Sequence, residues 1–174
     1  MGDYTHRVTD AMLRSELLPV GARMRLMRLL GYDIHPSTCI WAGAILRSKN
    51  LRFGSKVFIN TGFFFDGHEH LEIADNVRIG QFVRVLTATH EIGPPGQRCL
   101  VDVKSGPVNI RKGCWIGCNV IILPNVTLAE GCVIAAGAVV TRSTISNGLY
   151  AGVPGRFVRP LEECATHRNL VEFC

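Results

Sequence analysis

The stretch from Ile110 to Ile145 reads IRKGCW IGCNVI ILPNVT LAEGCV IAAGAV VTRSTI when it is divided into units of six residues. An aliphatic residue opens every unit, and a small or β-branched residue stands four places later in the first five units. The openers are Ile110, Ile116, Ile122, Leu128, Ile134 and Val140, and the residues four places later are Cys114, Val120, Val126, Cys132 and Ala138. The stretch is therefore an internal repeat.

A period of six residues excludes an amphipathic helix, whose apolar positions recur every three to four residues. In a short strand the opener and the residue four places later point to the same face, so both can be buried. Other positions suit a bend, namely Gly113, Asn119, Asn125 and Gly131. Three strands and three bends make one turn of a parallel β-helix, in which each coil pairs with the next. The general rule for connections between parallel strands of one sheet would predict a right-handed β-helix.

The same period can be followed back to Ile34, which predicts about five coils. The period fails after Val85 and returns at Ile110, and the Gly- and Pro-rich sequence between them leaves the coil just after His90. A long excursion from a regular solenoid often carries function, so residues 91–107 are predicted to form a functional loop. The predicted coils are residues 34–51, 53–70, 73–90, 110–127 and 128–145.

Residues 1–33 are predicted to be a separate helical segment that caps the open end of the β-helix at residues 34–160. Pro19 and Gly21 divide this segment into two pieces, and arginines at positions 23, 25 and 28 are expected to face away from its apolar stripe. The alternative role for the segment is acceptor binding or subunit contact. Residues 161–174 are predicted to form a short helical tail. The expected apolar stripe consists of Leu13, Leu17, Met24, Leu26, Leu29 and Leu30.

The composition fits one ordered globular domain of 174 residues, with 47% hydrophobic and 19% charged residues. The net charge of +5 is spread along the chain, apart from a cluster at residues 23–28. A phosphorylated cofactor or a solvated surface is therefore expected instead of nucleic acid. The N-terminus lacks the apolar core of a signal peptide, and no apolar run is long enough to cross a bilayer. A cytoplasmic protein is expected.

The chain contains seven cysteines without the spacing of a disulfide framework. Cys114 and Cys132 occupy inward positions of the repeat, so they are predicted to be buried thiols in a reducing compartment. Cys114 and Cys118 are four residues apart, but no second pair of cysteines or histidines completes a zinc site. No metal site is expected.

Six histidines could carry chemistry, and His90 in the sequence TATH is favoured because it stands directly before the excursion. Histidine can accept a proton near neutral pH, and a rigid scaffold can hold it against a substrate hydroxyl. His68 and Asp66 lie in FFFDGHEH at a predicted coil corner. They could contact an acceptor, or they could simply form a turn.

The repeat, TATH, WIG at residues 115–117, GAVVT and AGVPGR together resemble the hexapeptide-repeat acyltransferase superfamily. The resemblance covers residues 34–160, and the segment from Phe53 to His90 is similar to galactoside and maltose O-acetyltransferases. Polysaccharide and streptogramin O-acetyltransferases are related. The resemblance implies a left-handed β-helix, acetyl-CoA as the acyl donor, and a homotrimer with its active sites between subunits, where the excursion reaches a neighbour.

The resemblance also implies the roles of individual residues. His90 is the expected general base, and Asn60 and Trp115 are expected to line the acceptor site together with Asp66 and His68. A backbone amide near Cys118 or the side chain of Asn60 is the expected oxyanion donor. The residues expected to hold acetyl-CoA are Cys118, Ala136, Gly137, Thr141, Arg142 and Arg156.

The function implied is direct acetyl transfer to a hydroxyl of a sugar, a nucleotide sugar or a surface polysaccharide. No GxSxG nucleophile motif is present, which argues against an acyl-enzyme. An antibiotic or other natural product is the alternative acceptor, and a non-catalytic scaffold is the alternative class. A γ-type carbonic anhydrase is disfavoured, because Pro95 stands five residues after His90, where that family needs a second histidine.

Overall fold

The computed structural model describes residues 11–162, and its strands form three sheets that are the faces of a triangular prism. The first sheet contains β1 (Asp33–Ile34), β4 (Leu51–Phe53), β7 (Leu71–Ile73), β12 (Val108–Ile110) and β15 (Thr127–Leu128). The second contains β2 (Cys39–Ile40), β5 (Phe58–Ile59), β8 (Arg78–Ile79), β13 (Trp115–Ile116), β16 (Val133–Ile134) and β18 (Gly148–Ala151). The third contains β3 (Ile45–Leu46), β6 (Phe64–Phe65), β9 (Arg84–Val85), β14 (Ile121–Ile122) and β17 (Val139–Val140).

All neighbouring strands from β1 to β18 within these sheets are parallel, and the chain visits the three faces in turn. The predicted openers are aligned, since Ile34 pairs with Phe53, Phe53 with Ile73, Ile73 with Ile110 and Ile110 with Leu128. The predicted parallel left-handed β-helix is confirmed. It has five complete coils, and β18 begins a sixth.

The repeat produces this fold because its apolar positions fill the inside of the prism. The openers and the small residues four places later are almost completely buried in one continuous core. The four predicted bend residues, Gly113, Asn119, Asn125 and Gly131, all have a positive φ. Glycine and asparagine adopt this conformation at the lowest cost, so they mark the corners.

The N-terminal segment packs on one end of the prism through helix α1 (Val20–Leu29), and a preceding helical segment ends at Arg14. The break between them lies at residues 15–19, and Gly21 is inside α1. The predicted apolar stripe was wrong at Leu17 and Leu29, which are 94% and 84% exposed. The prediction is confirmed at Leu13 and Met24, which are buried, and Met27 is buried in addition to them.

Arg23 was predicted to face outward, but only 2% of it is exposed. Its Nε donates to the Leu13 carbonyl at 2.9 Å, and its Nη1 donates to the Ile40 carbonyl at 3.2 Å. Its Nη2 donates to the carbonyls of Ser15 and Leu18, both at 2.8 Å. These carbonyls belong to the preceding helical segment, to the break and to the second sheet, so Arg23 joins all three.

The excursion is a β-hairpin formed by β10 (Ala88–Ile92) and the antiparallel strand β11 (Cys99–Ser105). It begins at Ala88, so the prediction that the chain leaves the coil after His90 was wrong by three residues. His90 lies in the first strand of the hairpin and pairs with Val103.

The chain leaves the last coil through β19 (Arg156–Pro160), which pairs antiparallel with β18. The predicted helical tail lies outside the described residues, apart from residues 161 and 162. Among the described helices, none is long and apolar enough to cross a membrane.

Candidate functional site

The predicted site residues lie mainly at two corners of the prism. Corner A consists of the turns that follow β5, β8, β13 and β16, and corner B consists of the turns that follow β6, β9, β14 and β17. Corner A holds Asn60, Cys118, Ala136 and Gly137, with Trp115 beside it on β13 and Arg156 in β19 after the turn at residues 152–155. Corner B holds Asp66, His68, Thr141, Arg142 and the hairpin with His90.

The hairpin exposes His90 on an apolar ribbon. His90 and its partner Val103 lie on one face, while the adjacent residues Glu91 and Lys104 form an ion pair at 3.8 Å on the other face. The exposed fractions of Ile92, Val101 and Val103 are 82%, 84% and 51%. Large exposed apolar side chains on a short ribbon are typical of an interaction surface.

The base of the hairpin is fixed by polar contacts within corner B. The Asp66 carboxylate accepts hydrogen bonds from the amides of Thr87 and Ala88 at 2.8 and 3.2 Å, and one from the Thr87 hydroxyl. The Glu69 carboxylate accepts a bond from the Ser105 hydroxyl at 2.9 Å. Both strands of the hairpin are therefore tied to the coil below. His68 is exposed at the same corner.

Corner A is a ridge of closely stacked backbone. The amide of Gly137 donates to the Cys118 carbonyl at 2.8 Å. A Cβ on Gly80 would lie 2.7 Å from the Cys118 nitrogen, and a Cβ on Gly117 would lie 2.6 Å from the Ala136 nitrogen. Glycine is required at both positions, and Ala136 and Gly137 are exposed at the surface of the ridge.

A cavity of about 1220 Å³ lies between α1 and the outer face of the second sheet. Its floor is a column of aligned residues, in which Phe58 pairs with Arg78 and Arg78 pairs with Trp115. The Arg78 guanidinium lies 5.4 Å from the centre of the Phe58 ring, and Trp41 meets the same ring edge-on at 6.2 Å. Asn60 also lines the cavity, so the structure brings two predicted acceptor residues, Asn60 and Trp115, into one site.

His90 does not line this cavity. Corner B joins the third sheet to the first, so it lies opposite the second sheet in a triangular prism. Within one chain, the predicted general base and the predicted acceptor residues Asn60 and Trp115 are on different sides of the β-helix.

Sequence reasoning missed most of the cavity wall, including Trp41, Phe58 and Arg78. The signal was present, because Phe58, Arg78 and Trp115 each directly precede an opener of the second sheet. They come together only because β8 and β13, which lie before and after the hairpin in the sequence, are neighbouring strands in the second sheet.

The cysteines of the repeat are free thiols, as predicted. A hydrogen bond with the Cys132 thiol and burial raise the pKa of Cys114. The Cys114 thiol also donates a hydrogen bond to the Ala129 carbonyl at 3.1 Å. Cys114 is therefore unsuited to act as a nucleophile. Within residues 11–162 no group of three or more His, Cys, Asp or Glu side chains could hold a metal ion.

The hexapeptide repeat is shared with known proteins. Residues 107–142 match the bacterial transferase hexapeptide (six repeats) family. A Schizosaccharomyces pombe protein, named provisionally as an acetyltransferase, is 39% identical over 113 residues, which are 65% of this chain and 54% of the relative. The chain thus spans little more than half the length of curated relatives that it matches.

Two solved structures extend the likeness to most of the chain. A Vibrio cholerae hexapeptide-repeat acetyltransferase complexed with acetyl-CoA has a TM-score of 0.77 and 28% identity, covering 92% of this chain and 89% of the other. A maltose O-acetyltransferase from Clostridium difficile has a TM-score of 0.80 and 28% identity, covering 92% and 86%. The galactoside O-acetyltransferase of Escherichia coli is 30% identical over 119 residues. The predicted resemblance to the hexapeptide-repeat superfamily and its galactoside and maltose O-acetyltransferases is therefore confirmed.

Proposed function

We propose that this protein is an acetyl-CoA-dependent O-acetyltransferase that acts on a hydroxyl of a sugar, a nucleotide sugar or a polysaccharide unit. The observation that carries the proposal is the placement of His90, an exposed histidine on a hairpin whose base is held by Asp66 and Glu69. A general base must be positioned against the hydroxyl that it deprotonates. The fixed hairpin base supports such a role for His90, and the acetyl-CoA-bound relative supports the choice of donor.

The active site is proposed to form between two copies of the chain in a homotrimer. His90 at corner B of one copy would face the cavity of the next copy, which contributes Asn60 and Trp115. The exposed apolar side chains of the hairpin, Ile92, Val101 and Val103, supply a surface that such a contact would bury. Closed rings of identical subunits use two different patches at each interface, as this arrangement requires.

In the proposed reaction, an imidazole nitrogen of His90 accepts the proton of the acceptor hydroxyl while that oxygen attacks the thioester carbonyl of acetyl-CoA. The carbon–sulfur bond then breaks, the acetyl ester is released, and the CoA thiolate takes up a proton. A backbone amide near Cys118 or the side chain of Asn60 would stabilise the oxyanion of the intermediate. No covalent enzyme intermediate is needed.

Acetyl-CoA is proposed to lie along corner A, where the stacked glycines let an extended chain approach the backbone of Cys118, Ala136 and Gly137. Arg156 follows the turn at residues 152–155, and Thr141 and Arg142 lie at corner B. A groove between corner A of one copy and corner B of its neighbour would be lined by Arg156 on one side and by Thr141 and Arg142 on the other. Arginine is suited to the phosphates of CoA because it donates paired hydrogen bonds.

The test is thiol release from acetyl-CoA with a panel of sugars, nucleotide sugars and hydroxylated natural products. Replacing His90 with alanine is expected to lower kcat by about 10²-fold or more while acetyl-CoA still binds. Glu91→Gln is the matched control, because Glu91 is the adjacent residue on the other face of the same strand. Equal loss in both variants, or full activity of His90→Ala, would contradict the role of His90. A wild-type protein that does not bind acetyl-CoA would favour the scaffold alternative.

A further inference from the structure

The cavity between α1 and the second sheet has the charge of an anion-binding site. Arg25, Arg28 and Arg78 line it, and there is no aspartate or glutamate among its lining residues. We propose that the acceptor held there carries a phosphate or carboxylate group beside a flat ring, as a nucleotide-linked sugar does. This inference rests on the proposed function, because it takes the cavity to be the acceptor site.

The floor of the cavity is suited to a flat ring. Trp41, Phe58 and Trp115 present aromatic surface, and 60% of Trp115 is exposed. Bases and the apolar faces of sugar rings stack on such side chains. Arg78 lies between Phe58 and Trp115 in the strand register, so a ring on the aromatic floor would have a guanidinium beside it.

The wall contributed by α1 has unused hydrogen-bonding capacity. Arg28 Nη1 is buried and has no hydrogen-bonding partner within the described part of the chain. This differs from Arg23 on the same helix, whose guanidinium donates to four backbone carbonyls. An unpaired buried donor is unfavourable, and rotation of the Arg28 guanidinium towards the cavity would pair it with an anionic oxygen in a charge-assisted bond.

The position of these arginines is fixed by the fold. Arg23 anchors α1 to the carbonyls of Leu13 and Ile40, so Arg25 and Arg28 are held on the side of the helix that borders the cavity. Arg78 is held over Phe58 by a cation–π contact at 5.4 Å. Because the Arg78 side chain and the backbone of α1 are held in place, less entropy is lost when an anion binds.

In a single copy of the chain, the cavity has room for an acceptor larger than one neutral sugar. Cavities for drug-sized ligands are about 300–1,000 Å³, and this one is about 1220 Å³. A monosaccharide would leave most of the aromatic floor and at least part of the arginine wall without a contact. A nucleoside diphosphate attached to a sugar would contact both.

The inference can be tested by titration calorimetry with the full chain and four probes, first without a donor and then with saturating CoA, which has no acetyl group to transfer. The probes are uridine diphosphate, uridine, inorganic pyrophosphate and methyl β-galactoside. Uridine diphosphate is expected to bind more tightly than any of the other three. Arg28→Gln and Arg78→Gln are each expected to weaken its binding about tenfold or more, which is the usual effect of losing a hydrogen bond to a charged group. Arg84→Gln, on the exposed face of the third sheet, is the matched control and should leave binding unchanged.

Three results would overturn the inference. The first is no binding of uridine diphosphate, or binding no tighter than that of uridine. The second is equal binding by wild type, Arg28→Gln and Arg78→Gln, with melting curves that show all three to be folded. The third is binding of uridine diphosphate without CoA that is lost when CoA is saturating, which would place the probe in the donor site.

Failure of this inference can be told apart from failure of the proposed function. The calorimetric measurement needs no acetyl transfer, so an inactive protein could still bind uridine diphosphate with the expected dependence on Arg28 and Arg78. Conversely, thiol release with a neutral acceptor that is unchanged in Arg28→Gln and Arg78→Gln would keep the transferase and reject the anionic acceptor.

Discussion

Asp66 binds Thr87 through both of its carboxylate oxygens: one accepts from the Thr87 amide at 2.8 Å and the other accepts from the Thr87 hydroxyl. Thr87 is completely buried and directly precedes the hairpin that carries His90. The sequence suggested that Asp66 could contact the acceptor. Its contacts instead suit a positioning residue that fixes the direction in which the hairpin leaves the coil.

Asp66→Asn is expected to lower kcat by about ten- to a hundredfold, because an amide cannot accept both bonds and a small displacement of a catalytic group is costly. The KM values for acetyl-CoA and for the acceptor should change little. Steady-state kinetics measure both parameters. A raised acceptor KM with unchanged kcat would show that Asp66 binds the acceptor.

Gly62 is expected to be intolerant of a side chain for two reasons that can be separated. Its φ is +76°, and a Cβ would lie 2.4 Å from the Phe82 ring. Gly113 has a φ of +71° and open space around the position of a Cβ. Gly113→Ala should therefore cost only the backbone strain, about 1–2 kcal/mol, whereas Gly62→Ala should cost about 1–3 kcal/mol more because of the steric overlap. Urea unfolding measures both variants, and equal losses would show that Phe82 moves away freely.

Asp75 is expected to make stability depend on acid pH. The Ser55 amide donates to its carboxylate at 2.6 Å, and this backbone bond, with the Ser55 side chain, lowers the pKa of Asp75. The ionised Asp75 carboxylate therefore contributes to the free energy of unfolding above its unfolded-state pKa of about 3.9. This contribution is lost as the pH falls through the lower folded-state pKa. Urea unfolding at about pH 6 and about pH 3 should show a smaller acid-induced loss for Asp75→Asn than for wild type. Asp102→Asn, at an exposed carboxylate of the hairpin, is the control, and an Asp75→Asn profile identical to wild type would exclude this role.

Arg23 is expected to be the most sensitive residue of the N-terminal segment. Arg23→Met would leave four backbone carbonyls without their donor, and we expect a loss of about 3 kcal/mol. Arg25→Met changes an exposed arginine on the same helix and should stay within about 0.5 kcal/mol of wild type. Thermal or urea unfolding compares the two. Similar small losses would show that α1 is held by its apolar contacts alone.

The fold was predictable from the sequence because the repeat specifies each coil locally. The openers predicted the register between the strands before and after the hairpin. The corners were predicted by Gly113, Asn119, Asn125 and Gly131. The handedness came from family resemblance, since general rules for parallel crossovers favour the opposite hand. Phe82 shows where the local pattern fails, because it has a φ of +58° at a corner where other coils have glycine or asparagine.

The candidate site was less predictable, because it depends on contacts between distant coils. The column of Phe58, Arg78 and Trp115 forms only when strands from before and after the hairpin pair in one sheet. Arg23 was misjudged because a charged residue is normally placed on the solvent face of a helix. Its burial depends on the carbonyls at the helix break and in β2, and these can be identified only after the chain has folded.

The central claim is that one active site uses His90 from one copy and the cavity of another. It is tested most directly by mixing two inactive variants, His90→Ala and the double variant Asn60→Ala, Trp115→Ala. After the two are unfolded and refolded together in equal amounts, some neighbouring pairs combine an intact His90 with an intact cavity. We expect the refolded protein to be a trimer of the 19.1 kDa chain. Each interface in a randomly mixed trimer has about a one-in-four chance of combining an intact His90 with an intact cavity, so acetyl transfer should return to about one quarter of wild type. A mixture that forms trimers containing both variants but is no more active than its parents would contradict the shared site.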